Sequence, residues 1–227
     1  MDELETELSS MPNYVIPECV ETEKTCLKSH TDLECGYIHQ ARKKGLGYLT
    51  EMTVDTKHGI ITGVDCYSAN RWESDIILSH LKDQMCEYKE IALDGGYDIG
   101  AVHRGLKLLE INGYTAVQEY QNNAMKKGFC YDERNDGFLC KQGKYLEFQK
   151  LIYKKSTQNY YQLYKRSNKE CKKCTCFASC TTDLGTVRIN ASAYYPSFYQ
   201  NSQKVGGDDY LRLMRLRQIW TEGTFTV

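Results

Sequence analysis

The sequence predicts an α/β chain: a mixed sheet flanked by helices, with an insertion before the last helix. Three observations carry the prediction. Residues 48–67 hold two strand-like segments around a polar turn, which reads as a β-hairpin. The short apolar run Ile91-Ala92-Leu93 ends at once in Asp94-Gly95-Gly96 and is followed by helical spacing, giving strand, acid, tight turn and helix. After Tyr120 the pattern changes to a polar stretch rich in Tyr, Lys and Cys, and helical spacing returns only at Asp208. Strands grouped first and then alternating with helices suit a mixed sheet with helices packed on it.

Each element follows from its residues. Residues 1–28 are acidic and weakly patterned, with Pro12 and Pro17, and read as a leader or linker. A first short strand is expected at or near Asp32. Gly45-Leu46-Gly47 reads as a flexible turn, because glycines flank a single apolar residue. The next strand alternates, with Tyr48, Thr50, Met52 and Val54 on one face. Asp55 to Gly59 is a polar turn, and Ile60 to Tyr67 closes the hairpin. Ser74 or Asp75 is expected to cap a helix carrying Ile77, Leu78 and Leu81. The Ile91–Leu93 run reads as a strand buried on both faces, with Asp94 at its end, where open α/β sheets place their sites. Val102, Leu106 and Leu109 mark the helix from Ile99 to Glu110, and Tyr114 to Val117 is a fifth strand. Residues 29–120 are thus the first part of the core and 121–207 the insertion. Residues 208–227 are a final helix with Leu213, Leu216 and Trp220 on one face.

At 227 residues the chain accommodates one domain, or one domain with an insertion. A net charge of −1 neither requires nor excludes nucleic acid, whose binding needs a local basic patch. No apolar run reaches the length of a membrane span, and the acidic start does not match a signal peptide. No membrane partner and a cytoplasmic location are therefore expected. The 11 cysteines are odd in number and accompany no export signal, which favours reduced thiols or metal ligands over a disulfide framework.

Three acids have placements suited to a metal site. Asp32 lies at the first strand, Asp94 ends a later one, and Glu222 lies on the final helix. Hard divalent ions take oxygen ligands, and two of them can activate an attacking oxygen and stabilise a leaving one in phosphoryl transfer. The wording around these acids is more specific than the acids themselves. Thr31-Asp32-Leu33-Glu34 comes first, then Val54-Asp55 with Gly59-Ile60-Ile61. Asp94-Gly95-Gly96-Tyr97-Asp98 follows, and Glu222-Gly223-Thr224-Phe225 closes the series. In this order they resemble the insertion-sequence DDE transposases, in the branch with a cysteine-bearing insertion before the final Glu.

The resemblance covers Ser29 to the C-terminus. It implies an RNase H-like fold and Mg²⁺- or Mn²⁺-dependent DNA strand cleavage and strand transfer in transposition, a recombination reaction. Carried over position by position, it puts the catalytic and metal-binding acids at Asp32, Asp94 and Glu222, with Glu34 and Asp55 as neighbouring alternatives for the first. DNA, as transposon ends and target, is the implied partner, and the full-length family context allows a homo-oligomer. Family members usually carry a DNA-binding region before the first Asp and continue past the Glu, so a fragment lacking both is expected. On the final helix Arg215 shares a face with Glu222 and is the candidate phosphate contact.

The cysteines form a second constellation. Cys171 and Cys174 make a Cys-x2-Cys pair, Cys180 follows, and Cys140 sits upstream in a knuckle-like turn; Cys176 is a spare. Four thiolates from two turns suit a structural, closed Zn²⁺ site that would pin an insertion too polar to bury a core of its own. Lysines nearby, among them Lys154, Lys155, Lys172 and Lys173, interleave with tyrosines, a pattern that suits phosphate neutralisation and base stacking. His58, His80 and His103 stand isolated and receive no role. Two other functions fit the same residues: an inactive remnant that binds DNA through the zinc-pinned basic insertion, and a metal-dependent nuclease that hydrolyses without joining.

Overall fold

The computed structural model describes residues 29–39, 44–84, 86–117, 128–155, 159–180 and 186–223. The leader expected at residues 1–28 lies outside them. The described chain is mixed α/β, and none of its helices is long and apolar enough to cross a membrane.

An antiparallel sheet comes first, in the order β1 (Gly36–His39), β2 (Lys44–Val54) and β3 (Ile61–Ser68). The strand expected at Asp32 begins only at Gly36. The Asp32 carboxylate accepts the backbone N–H groups of Glu34 and Cys35, each at 3.3 Å, and this bends the chain into a turn. Gly45-Leu46-Gly47, expected as a turn, is strand, because each residue pairs across to β1. The hairpin and its turn lie where the sequence puts them. The Asp55 carboxylate accepts from the N–H groups of Lys57 and His58, and Gly59 takes φ 69°.

The two faces of β2 alternate as predicted, but the polar one faces inward. Glu51 and Thr53 are buried, while Tyr48 is 44% exposed. Helix α1 (Glu73–Asp83) packs behind the sheet with Ile76, Ile77, His80 and Leu81 buried. It starts two residues before the start that a Ser74 cap would give, and three before that of an Asp75 cap. Trp72 occupies the N-cap position, so Ser74 and Asp75 fall inside the first turn and do not cap it.

A strand–helix–strand unit follows: β4 (Glu90–Leu93), α2 (Gly100–Leu108) and β5 (Asn112–Thr115), with β4 and β5 parallel. Its core joins Leu93, Val102, Leu106 and Ile111 to Ile77 and Leu81 of α1. The expectation that β4 is buried on both faces holds only in part: Leu93 is buried, while Ile91 and Ala92 are half-buried. Among the described residues β5 is its sole hydrogen-bonded neighbour, and β4–β5 is a sheet separate from β1–β3.

The insertion also departs from its expected character. It forms an antiparallel sheet of β6 (Cys130–Asp132), β7 (Gly137–Leu139), β8 (Tyr145–Lys154), β9 (Asn159–Lys165) and β10 (Arg188–Ser192), in the order β10-β9-β8-β7-β6. Two short helices, α3 (Asn168–Cys171) and α4 (Phe177–Cys180), lie between β9 and β10. Far from lacking a core, it buries Phe129, Phe138, Leu146, Tyr164 and Ile189, with the Phe138 and Tyr164 rings edge-to-face at 5.0 Å. A polar average conceals this, because a few positions on one face of the sheet, such as Leu146, Tyr164 and Ile189, make the core while Glu147, Lys165 and Arg188 stay exposed.

Helix α5 (Tyr195–Lys204) joins the two halves. It packs on α2, where a side chain at Gly100 would lie 2.7 Å from the Tyr194 carbonyl oxygen. Asn201 donates to the Thr115 carbonyl at 3.2 Å. Helix α6 (Asp208–Arg217) runs on into a π-helical turn, Gln218–Glu222. Arg212 pairs with Glu90 at 2.9 Å, and the Trp220 indole donates to the Thr56 carbonyl at 3.1 Å. These bonds lay the last helix across the first two sheets.

Candidate active site

A groove of about 350 Å³ opens between the two sheets. Thr50 to Val54 of β2 form one wall and Glu90 to Asp94 of β4 the other. Glu73 and Ile77 of α1 lie along it, and the last helix crosses it with Leu216, Arg217, Trp220 and Thr221. Asp94 stands at the end of β4 and is exposed. Its carboxylate accepts the Gly95 N–H at 2.7 Å and so starts the single 3₁₀ turn Gly95–Tyr97. The glycines keep bulk away from it, and a side chain at Gly96 would lie 3.5 Å from the Glu73 carboxylate.

Two more carboxylates share the groove. Burial, reinforced by the charge of Asp94, pushes the Glu73 carboxyl above the usual range. Glu51 is raised chiefly by burial, and the 2.7 Å bond from the Tyr97 hydroxyl partly offsets the shift. Burial and the same bond raise the Tyr97 hydroxyl. The groove therefore concentrates negative charge at the Asp94 end, with Arg217 as a cationic residue in its wall.

The acids named from sequence are distributed unevenly around this groove. Asp94 lines it; Asp32 does not. Both Asp32 oxygens are held by the Tyr48 hydroxyl, at 2.7 and 2.9 Å, and this bond pushes the Tyr48 phenol up to about 12. Glu222 ends the π-helical turn, and its side chain lies outside the described part of the structure. Among the described residues no three His, Cys, Asp or Glu side chains are placed together to hold a metal ion. Arg215 is exposed and away from the groove; Arg217 lines it instead. The π-helical turn that follows Arg217 advances the helix faces by an amount that α-helical spacing does not give.

Sequence reasoning missed Glu51, Glu73 and Tyr97. Glu51 was legible only as a polar position on an alternating strand. It also missed the support beneath Asp94. His103, assigned no role, is buried on α2 with its Nε2 2.8 Å from the buried Asp98 carboxylate. Asn201 reaches the same carboxylate from α5 at 3.5 Å. This network anchors the segment just after the Gly95–Tyr97 turn to two helices.

In the insertion, Cys140, Cys171, Cys174, Cys176 and Cys180 line one small cavity of about 20 Å³. Tight turns bring them there, with Gly143 N–H donating to the Cys140 carbonyl at 2.8 Å and Cys174 N–H to the Cys171 carbonyl at 2.9 Å. Burial pushes the Cys171 thiol up. The Gln142 amide, bonded to Cys176 at 3.5 Å, lowers the Cys176 thiol. The donor set suits tetrahedral zinc in kind and number, although the side chains as placed do not converge on one point.

The lysines do not form one patch. Lys154 and Lys155 sit at the β8–β9 turn, whereas Lys172 and Lys173 follow α3, beyond the other end of β9. A strand the length of β9, Asn159–Lys165, separates the pairs by roughly 20 Å. All four are exposed, and Lys154 lies 6.0 Å from the Tyr161 ring. No family model, curated protein or solved structure matches the chain.

Proposed function

We propose that the chain is the RNase H-like catalytic domain of a DDE transposase, cleaving DNA strands and transferring them to new sites. One observation carries this reading. Asp94 ends a parallel strand at the mouth of a groove that is crossed by the helix ending at Glu222. Open α/β sheets place their chemistry at such strand ends. An exposed carboxylate there can orient an attacking water or DNA 3′-hydroxyl. A guanidinium at Arg217 suits a phosphate in the groove. Asp32 is held by Tyr48 and does not line the groove, so Asp32 and Asp94 do not share one metal set among the described residues. The test is nicking of supercoiled plasmid in Mg²⁺, wild type beside Asp94→Ala. Loss of a positioned catalytic group predicts a fall of about a hundredfold or more. Undiminished nicking in the variant would contradict the site.

The Asp32–Tyr48 bond favours a second reading: a remnant that no longer cleaves and still binds DNA through its basic insertion. A chain that shifts labelled DNA in a gel but nicks nothing would support it.

The cysteine cavity supports a structural Zn²⁺ on Cys140, Cys171, Cys174 and Cys180, with Cys176 outside the set. A closed tetrathiolate leaves no open position, so the ion would serve folding and not chemistry. Zinc measured at one equivalent per chain, and lost in Cys171→Ser but retained in Cys176→Ser, is the expected result.

A further inference from the structure

Away from the groove, the pairing of β8, β9 and β10 fixes which side chains share each face of the insertion sheet. Ile189, Ala191, Gln162 and Tyr164 turn to the core and are buried. Arg188 on β10 and Lys165 on β9 alternate with them, turn the other way and are exposed. β8 follows the same alternation with one interruption. Its pairing steps from Phe148 opposite Tyr164 to Lys150 opposite Leu163, so Gln149 is an extra, bulged residue. A bulge re-aims the side chains that follow it. In an unbroken register Lys150 would stand opposite the buried Gln162 and point to the core. With the bulge, Lys150 and Lys154 join the face of Lys165 and Arg188.

The outer face of these three strands is strongly basic. It carries Lys150, Lys154, Lys165 and Arg188 against a single acid, Glu147, in a chain whose net charge is −1. All five are exposed. Lys165 and Arg188 are direct cross-strand partners, which sets their Cβ atoms about 5 Å apart. Lys150 lies two positions farther along, opposite Leu163, and Lys154 six, opposite Asn159, so the cations extend over roughly 20 Å. Like charges directly opposite one another destabilise a sheet, and an anion laid over both removes that cost.

We infer that this face binds the phosphate backbone of duplex DNA, without regard to sequence. Over about 20 Å a duplex carries about six phosphates on each strand, so one strand spans all four cations. The face is three strands wide, whereas the major groove admits a two-stranded ribbon, so it meets phosphates and not base edges. Single strands are held instead by stacking bases on rings. The one ring on this face, Tyr161, already has the Lys154 Nζ 6.0 Å from its centre. Of the lysines named from the sequence, only Lys154 belongs to the face. The inference rests on the reading of the chain as a DNA-acting protein, and adds to it the surface and the kind of contact.

The test is fluorescence anisotropy of a labelled duplex of arbitrary sequence, titrated with the full chain at several NaCl concentrations and without Mg²⁺. Four phosphate contacts predict that affinity falls by about a hundredfold between about 50 and 200 mM salt. Lys150→Ala/Lys165→Ala is expected to bind about tenfold or more weakly at low salt, and to lower the slope of log K against log salt by about two. Lys82→Ala/Lys107→Ala removes the same charge from exposed positions on α1 and α2 and binds as wild type. Glu147→Gln tightens binding by about threefold or more, a gain that a misfolded chain could not give. Three results overturn the inference. One is no duplex binding by the wild-type chain at low salt. Another is an equal loss from both double variants, or no gain from Glu147→Gln. The third is tighter binding of a single strand than of the duplex. Binding is read without cleavage, so failure here leaves the Asp94 reading to the nicking assay, and failure there leaves this face untouched.

Discussion

At the scale of single residues, the buried Glu51 carries the clearest consequence. Its carboxyl is raised by burial, so the folded chain binds this proton more tightly than the unfolded chain does. The sign follows: Glu51 favours folding at acid pH, and that contribution is lost as pH rises from the unfolded pKa through the folded one. Glu51→Gln keeps an oxygen to accept the Tyr97 hydroxyl and removes the charge. Thermal melts at pH 5 and pH 8 are expected to show the variant more stable than wild type at pH 8, with the difference shrinking toward pH 5. A variant less stable at both values would contradict the assignment. The sequence made Asp94 legible, because an apolar run, an acid and two glycines specify a strand end without help from elsewhere. It could not make Glu51 legible. Which face of an alternating strand points inward is decided by the helix behind it, and here α1 covers the face with the polar residues. His103 looked isolated for a related reason. Its partner Asp98 precedes the helix by two residues, outside the spacing that helical neighbours follow.

At the scale of elements, the placement of the last helix depends on a glycine in the β2–β3 turn. Gly59 takes φ 69°, and a side chain there would lie 2.3 Å from the Trp220 ring. Gly59→Ala is expected to cost about 1–2 kcal/mol from the left-handed backbone alone, and more from displacing Trp220. Urea unfolding measures the loss, and Trp220 fluorescence reports whether the helix has moved. An unchanged midpoint and emission would show that the helix is not held there. Most strands and helices were legible as patterns, and their ends were not. Asp32 was expected on a strand because acids alternate around it, yet its own carboxylate bonds the chain into a turn. Arg215 was preferred to Arg217 because α-helical spacing set it beside Glu222. Arg217 lines the groove instead, and a π-helical turn that nothing in the local residues announces separates it from Glu222.

At the scale of the molecule, two hydrophobic cores form among the described residues. The first sits beneath β4 and between α1 and α2; the second lies in the insertion sheet and extends to α5. The insertion was legible as a unit by its change of composition, but its core was not, since Tyr counts toward polarity in an average and toward packing in a strand. Because its sheet has this aromatic core, chelation is expected to loosen the α3–α4 region without unfolding the sheet. Hydrogen exchange after treatment with a zinc chelator should rise at residues 168–180 and stay low in β8 and β9; collapse of both would mean that the metal and not the rings holds the insertion. The central claim is DNA strand joining at the Asp94 groove. The most direct measurement offers the chain a labelled duplex with a pre-cut 3′-hydroxyl end and a plasmid target in Mg²⁺, beside Asp94→Ala and a 3′-deoxy duplex. The account predicts labelled, covalently joined plasmid with the wild-type chain alone, and none with either control. Nicked but unlabelled plasmid would mean hydrolysis without joining, and joined product from Asp94→Ala would place the chemistry elsewhere; either result would contradict it.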